Sequence, residues 1–390
     1  MWPKLGFNKV RRLRLLNNFA TVRVVVNTRL LLKNKLEGIG WFTYETLKRI
    51  TEQRPNDEFI FVFDRPYHPD FVFTDNVVPF QIGPPSRHPL LWMWWFGLSI
   101  PKVLNHFKPD VFVSPDGYLT LNTFVPQLSV MHDINFEHTP EQLPWAYQKY
   151  YRHYFQKFAQ KATRIATVSE FSKQDIQNVY KVDENKIDVV YNGFNTLYTN
   201  DNNQNYAPKS TPYFLFIGSL NPRKNLERML LAFDQFKKET GMSHQFKVVG
   251  EKMWRGTSIE ITVSQMQFKD DVLFLGRVAP DDLKLILSNA FALSFCSLFE
   301  GFGIPILEGF ASGIPVITSN VSSMPEVAGD AALLVDPTSV DSIKNHYVEL
   351  AKNETLRQNL IDKGLTRSKD FSWNKTAALL WESIEKTANA

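Results

Sequence analysis

The sequence predicts an α/β protein built from two helix-covered parallel sheets in tandem, facing each other across a cleft. Three observations predict it. Short β-branched and aromatic runs alternate with helix-length stretches along most of the chain, which is the pattern of βα units. The alternation stops once, at the polar stretch 199–211, and then resumes as a second series. The length of 390 residues exceeds one ordinary domain and suits two of about 150–200.

The first strand is expected at Val22–Asn27, a β-branched run of the kind buried on both faces. Glu37-Gly38-Ile39-Gly40 reads as a glycine turn opening a helix over Trp41–Thr51. Strands follow at Phe59–Phe63, Asp110–Val113, Gln127–Met131 and Ile165–Val168, with helical segments between them. Ser169 fits an N-cap for a helix over Glu170–Tyr180. Asp188–Tyr191 closes this half. The second series has strands at Tyr213–Ile217, Gln245–Val249, Val272–Leu275, Ala292–Phe295, Pro315–Thr318 and Ala332–Val335. Helices fit Asn225–Glu239, Pro280–Asn289, Pro305–Ala311 and Asp341–Lys352. The expected division is therefore a Rossmann-like domain over 1–198, with 1–20 as an extra segment, a linker at 199–211 and a second Rossmann-like domain over 212–372. Ligands of such sheets bind outside the carboxyl ends of the strands.

Composition narrows the function. The single cysteine, Cys296, excludes an intrachain disulfide and a multi-thiolate metal site, and suits a reducing compartment. Cys296 itself reads as a small buried residue. No apolar run reaches transmembrane length, and residues 1–20 lack the apolar core of a secretory signal. The expectation is a cytoplasmic protein. Charge is uneven: residues 1–200 hold 24 Lys and Arg against 18 Asp and Glu, net +6, and the rest nets −2. This bias is too weak for nucleic acid, but suits an anionic substrate or membrane surface. The run Leu91-Trp92-Met93-Trp94-Trp95-Phe96-Gly97-Leu98 is read first as helix packing on its sheet. Its other reading, with Arg11, Arg12 and Arg14, is a peripheral contact with the inner face of the membrane.

The chemistry-bearing segment is Phe299-Glu300-Gly301-Phe302-Gly303-Ile304-Pro305-Ile306-Leu307-Glu308, between a strand and a helix. Gly301 and Gly303 allow close ligand approach, and Pro305 suits the helix's first turn. The free amides there favour an anion such as a diphosphate. Glu300 and Glu308 are placed to accept hydrogen bonds from two hydroxyl-bearing parts of one ligand. Arg223 and Lys224, at a strand's carboxyl end, suit neutralisation of a diphosphate. His132, followed by Asp133, ends the Gln127–Met131 strand, where it would bond a sugar hydroxyl or be satisfied by Asp133. No Asp-x-Asp, Gly-x-Ser-x-Gly, Walker loop or dinucleotide fingerprint occurs.

Glu300 to Glu308 resembles the E-x7-E motif of retaining glycosyltransferases of the GT-B fold, family GT4. Gly313-Ile314-Pro315-Val316-Ile317, the stretch from Met324-Pro325-Glu326 to Asp336-Pro337, and Phe216 to Leu226 are also similar to that family. So are Gly38-Ile39-Gly40, Met131-His132-Asp133 and Ala166 to Lys173. The resemblance implies metal-independent transfer of a sugar from a nucleotide diphosphate sugar to a saccharide or lipid-linked acceptor in polysaccharide or glycolipid assembly, with no cofactor. It implies a catalytic set of Glu300, His132, Lys224 and Arg223. Donor contacts would come from Glu308, Gly301, Phe302, Gly303, Ile304, Gly218, Ser219, Arg277 and Val278, and Gly38, Ile39 and Gly40 would form an acceptor or phosphate loop. Gly250, Glu251 and Lys252 are expected to line the same crevice. Ser219 stands where many members carry arginine, and Arg223 is expected to supply that charge. The final helix, Trp373–Thr387 within 373–390, is expected to cross back to the first domain. A nucleotide-sugar epimerase or hydrolase on this fold, or a non-catalytic sugar-binding partner, are the alternatives.

Overall fold

The computed structural model describes residues 22–199, 211–251 and 258–390. Residues 1–20, the linker core and Lys252 lie outside the described residues. The first sheet has seven strands, β1 (Arg23–Asn27), β2 (Glu58–Phe63), β3 (Val77–Gln81), β4 (Val111–Ser114), β5 (Gln127–Val130), β6 (Arg164–Thr167) and β7 (Ile187–Val189), in the order β3-β2-β1-β4-β5-β6-β7. The second has six, β8 (Tyr213–Ile217), β9 (Gln245–Val249), β10 (Val272–Gly276), β11 (Ala292–Phe295), β12 (Val316–Ser319) and β13 (Leu333–Val335), in the order β10-β9-β8-β11-β12-β13. Every pairing is parallel.

The helices used below are α1 (Gly38–Gln53), α2 (Pro89–Trp94), α3 (Ile100–Phe107), α4 (Trp145–Lys161), α5 (Glu170–Tyr180), α6 (Leu226–Thr240), α7 (Ser258–Gln265), α8 (Pro280–Ser288), α9 (Ile304–Ala311), α10 (Met324–Ala328), α11 (Val340–Lys352), α12 (Glu354–Ser368) and α13 (Trp373–Ala388). They cover both faces of each sheet. In β1, Val25 faces one core while Val24 and Val26 face the other, all fully buried. In each sheet the chain reverses its winding beside the first strand, between β1 and β4 and between β8 and β11. These are the switch points where α/β sheets open a crevice.

Local signals explain most boundaries. Ser169 caps α5, its Oγ accepting from the Ser172 amide at 3.0 Å. The Gly38-Ile39-Gly40 stretch, expected as a turn ahead of its helix, is the first turn of α1 itself. Strand β3, which the sequence reading omits, is an edge strand in which Pro79 needs no outer ladder bond. The final helix, α13, packs on the first sheet, burying Trp373, Ala377, Leu380, Trp381 and Ile384 in its core. Thr376 Oγ1 donates to the Tyr191 carbonyl at 2.7 Å and fixes its entry.

The aromatic run is only in part the helix packing first expected of it. Residues 89–107 form one rod whose middle, Trp95–Ser99, is a π-helical turn. Trp92, Trp95 and Phe96 are core, whereas Met93, Trp94 and Leu98 face outward.

Candidate active site

The two switch points open on one cavity of about 980 Å³. Its first-domain wall carries Gly38, Ile39, Gly40, His132 and Asp133; its second-domain wall carries Arg223, Lys224 and the segment Glu300–Pro305. Glu300, 7% exposed, holds both cations: Lys224 Nζ lies 2.6 Å from Oε1 and Arg223 Nη1 lies 3.0 Å from Oε2. Burial alone would push the Glu300 carboxyl up, but the Lys224 and Arg223 charges outweigh it and hold it below the usual glutamate range. Burial lowers the Lys224 ammonium, with Glu300 opposing.

Local structure aims these groups. Arg223 and Lys224 sit in a single 3₁₀ turn, Pro222–Lys224, after β8, and Asn221 Oδ1 accepts from the Lys224 amide at 3.3 Å. Asn225 follows in the left-handed region, φ 60°, which asparagine tolerates. Its Nδ2 donates to the carbonyls of Cys296 at 2.9 Å and Pro337 at 2.8 Å. The Leu298 amide donates to the Arg223 carbonyl at 2.8 Å. Arg223 Nη1 also donates to the Phe299 carbonyl. The cation turn and the Glu300 loop are thus one braced unit. The role of Asn225 escapes the sequence reading. Cys296, beneath the loop, is fully buried with its thiol pushed up to about 12 by burial, so it is a packing residue rather than a nucleophile.

The Glu300 loop also touches the first domain. Ser169 Oγ donates to the Gly301 carbonyl at 2.7 Å across the domains, while within the second domain Ser323 Oγ donates to the Glu300 and Phe302 carbonyls at 2.8 and 3.0 Å. A Cβ on Gly301 would lie 2.3 Å from the His132 carbonyl oxygen, so only glycine permits this approach. Gly303, at φ 98°, starts α9. Glu326 of α10 adds a second tie: its carboxylate accepts from the amides of Glu170 and Phe171 at 2.8 and 3.1 Å, capping α5, and from Tyr191 Oη at 2.8 Å. We expect Gly301→Ala to force the walls apart and lower kcat/KM at least about tenfold, a large share of what misplacing reacting groups costs. Unchanged steady-state kinetics in a folded variant would sink this.

His132 Nε2 lies 2.9 Å from the Pro115 carbonyl, which only accepts, so Nε2 carries the proton and Nδ1 is the ring's acceptor. Burial lowers its pKa and keeps it neutral. Asp133 does not satisfy it; Asp133 Oδ1 accepts from the Asn135 amide at 3.1 Å instead. Beside His132 the floor holds a buried pair that sequence reasoning missed, Arg29 Nε to Asp116 Oδ2 at 2.6 Å. The Arg29 guanidinium stacks 4.3 Å from the Tyr118 ring centroid. Asn27 Nδ2 bridges the β1–β4 switch point to Ser114 Oγ and Asp116 Oδ1 at 3.0 and 2.9 Å.

The remaining expected donor residues stand apart from this cavity's lining. Gly218 follows β8, its amide donating to Val249 O at 3.0 Å, and Ser219 Oγ accepts from Asn221 Nδ2 at 3.0 Å. Arg277 is exposed after β10, and Val278 packs partly buried against the second core. Glu308 is in the second turn of α9, where burial raises its carboxyl to about 7 and Tyr198 feels its charge. A carboxyl raised in the fold stabilises most below its unfolded pKa, and that contribution is lost as pH rises from about 4.5 through 7. We therefore expect the wild type to lose about 1–3 kcal/mol relative to Glu308→Gln across that window. Parallel pH dependence of the two melting curves would refute it.

Among the described residues, no group of three His, Cys, Asp or Glu is arranged to hold a metal, and no helix is long and apolar enough to cross a membrane. Comparison with known proteins gives two family matches that together run through most of the chain. Residues 36–197 match the Glycosyltransferase Family 4 model, and residues 198–367 match Glycosyl transferases group 1. O-antigen chain mannosyltransferase B of Escherichia coli is 28% identical over 360 residues, covering 88% of this chain and 94% of that protein. Among solved structures, WaaG, a glycosyltransferase involved in lipopolysaccharide biosynthesis, aligns with TM-score 0.72 at 14% identity, covering 91% of this chain and 97% of that one. Anabaena Alr3699/HepE in complex with UDP-glucose aligns with TM-score 0.69 at 16% identity, covering 93% and 99%.

Proposed function

Since the chain belongs to the family 4 glycosyltransferases and has their GT-B fold, we propose that it moves a hexose from a nucleotide diphosphate sugar to an acceptor hydroxyl in polysaccharide or lipopolysaccharide assembly, with retention at the anomeric carbon. The observation that carries this reading is the Glu300 carboxylate clasped by Arg223 and Lys224 at the point where both domains meet. The E. coli mannosyltransferase relative makes mannose the leading donor sugar.

In this reading the diphosphate lies against Lys224, Arg223 and the first amides of α9, an anion-favouring helix start. The remaining lone pairs of Glu300 and the Nδ1 of His132 accept hydroxyls of the transferred sugar. As the bond from C1 to the phosphate oxygen breaks, the acceptor oxygen bonds C1 from the same face, and its proton passes to the departing phosphate oxygen. Positioning and charge stabilisation then carry the rate, without a side-chain nucleophile. Glu308 binds the ribose from α9, with Gly218, Ser219, Arg277 and Val278 framing the nucleotide. Gly38–Gly40 hold phosphate or acceptor, and a saccharide or lipid-linked acceptor enters along the Arg29–Asp116 floor.

A thermal-shift panel of UDP-, GDP- and ADP-sugars identifies the donor, since a ligand stabilises by its occupancy. With that donor, nucleotide diphosphate release should depend on acceptor, and the product anomer should match the donor's. Release without acceptor would favour the epimerase or hydrolase, and an inverted product would overturn retention. The cations at 223 and 224 make a divalent metal dispensable, so turnover should survive excess EDTA. Loss restored only by Mg²⁺ or Mn²⁺ would contradict this.

A further inference from the structure

We propose that the first-domain end of the cavity is a phosphate subsite for the acceptor, built on Arg65, Arg29 and Arg87 and set back from the reacting hydroxyl by more than one sugar ring. Asp64 and Arg65 directly follow β2. The Asp64 side chain is wholly buried and occupies one edge of the Arg65 fork: Nε donates to Oδ1 at 2.6 Å and Nη2 to Oδ2 at 2.7 Å. The opposite edge, Nη1 with the second hydrogen of Nη2, is left over, and among the described residues no acceptor meets Nη1. Arg65 lines the cavity with its side chain 18% exposed, so the cavity meets the cation while the carboxylate that orients it stays hidden. A free, pre-oriented guanidinium edge is the group that takes a phosphate through two parallel hydrogen bonds.

Ser86 brings a second arginine to the same place. Its amide and Oγ donate to Asp64 Oδ2 at 2.6 and 2.7 Å, while its carbonyl and Oγ accept from Arg29 Nη1 at 3.3 and 3.4 Å. Trp92 Nε1 donates to the same carbonyl at 2.9 Å and fixes the loop. Arg65 and Arg29 are thus two guanidinium groups held on one serine, each with its own carboxylate, Asp64 or Asp116. Arg87, the next residue, and Lys35 also line the cavity. Both are exposed, and among the described residues neither pairs with a carboxylate.

Topology sets the distance from the chemistry. His132 lies two residues past the end of β5 and Arg65 two residues past the end of β2, and the strands run in the order β2-β1-β4-β5. Three strand spacings put these two positions about 14 Å apart along the carboxyl edge of the sheet. Between them stand amphipathic rings. Tyr118 Oη donates to Tyr151 Oη at 2.9 Å, which leaves the Tyr151 hydroxyl hydrogen for a ligand, and Phe136 stacks on Tyr151 at 4.7 Å. Such rings suit a sugar, which presents both C–H faces and hydroxyls. With two oriented guanidinium groups and two free cations, the far end suits a phosphate or diphosphate better than a single carboxylate. That the bound molecule is the acceptor rests on the transfer reading; the anion subsite does not, because its occupancy is measured without turnover.

The test is calorimetry of inorganic pyrophosphate on the full chain. We expect two sites. Arg223→Ala with Lys224→Ala should remove the donor-side one. Arg65→Gln with Arg87→Glu should weaken the other at least about tenfold, since one charge-assisted hydrogen bond contributes about that much. Arg87→Glu alone, at an exposed position, leaves the Asp64–Arg65 pair in place and serves should the double variant fold poorly. Competition then identifies the source of the phosphate. Displacement from the first-domain site by mannose 6-phosphate puts it on a sugar, displacement by octyl diphosphate puts it on a lipid carrier, and either supports the subsite. A single pyrophosphate site that only the 223 and 224 substitutions affect would overturn the proposal, as would stronger competition by glucuronate than by both phosphorylated probes. If the 65 and 87 substitutions abolish one site yet no sugar transfer is ever found, the transfer reading fails and the anion subsite stands.

Discussion

Lys224→Ala should lower kcat/KM by about 10²–10³, the loss typical of one preorganised group that stabilises developing charge. The magnitude follows from where Nζ sits. It is partly buried, 2.6 Å from Glu300 Oε1 and 5.0 Å from the Phe295 ring centroid, held by a turn that Asn221 and Asn225 brace. Water entering the space would supply neither its charge nor its fixed direction. Arg223 keeps Glu300 paired in the variant, so the stability cost should be about 1–3 kcal/mol, below that of orphaning a buried charge outright. Lys224→Arg should not restore the rate, because a forked, planar guanidinium does not replace a compact ammonium in this space. Melting curves and single-turnover rates measured on the same samples decide the matter. A folded Lys224→Ala enzyme with wild-type kcat/KM would remove Lys224 from the chemistry.

The sequence made the strands more legible than their neighbours, for physical reasons. Tyr213–Ile217 is readable to the residue because a buried parallel strand is a continuous apolar run, here ending at Gly218, whereas Gln245–Val249 and Ala292–Phe295 are readable although Gln245, Lys247 and Ser294 interrupt their apolar residues. Edge strand β3 was not, since Pro79 and its half-exposed neighbours weaken the run. Helix α12 has no clear sequence signal because its polar residues are spread around it and leave little apolar stripe. In the site, Glu300, Arg223 and Lys224 were visible as a strand-end pattern, and the fold brings them within bonding distance across 76 residues. The Arg29–Asp116 pair spans 87 residues, and the Glu326 cap on α5 spans 156. Neither has a local signature: each partner alone is an ordinary charged residue near a strand or helix end. Conversely, the spacing of Glu300 and Glu308 suggested two contacts to one ligand, yet only Glu300 lines the cavity described here. Spacing along the chain fixed their separation but not which way each side chain opens.

That separation makes the two glutamates experimentally distinct. Glu300→Gln leaves Arg223 and Lys224 without the carboxylate that now lies 3.0 and 2.6 Å from them. The local field becomes more positive, so free nucleoside diphosphate should bind as well as to wild type or more tightly. The transferred sugar gains positive character as its bond breaks, and an amide stabilises it less than a carboxylate does. We therefore expect kcat to fall by about 10², with little change in donor KM. Glu308→Gln should do the reverse. Ribose is remote from the breaking bond, so its contact is nearly equal in ground and transition states, and its loss should raise KM by about tenfold at near-constant kcat. The raised carboxyl of Glu308, at about 7, adds a second signature. In the proposed reading the ribose hydroxyls would donate to the ionised form of Glu308 and draw its proton off, so diphosphate affinity in the wild type should rise as pH increases from 6 to 8. In Glu308→Gln that rise should shrink to the part due to the diphosphate's own terminal phosphate, which ionises at about 6, while in Glu300→Gln the full rise should persist. Calorimetry with the diphosphate across this range, in buffers of differing ionisation enthalpy, measures both affinity and proton release. If Glu300→Gln weakens the diphosphate and Glu308→Gln binds it with the wild-type pH profile, the two roles are exchanged.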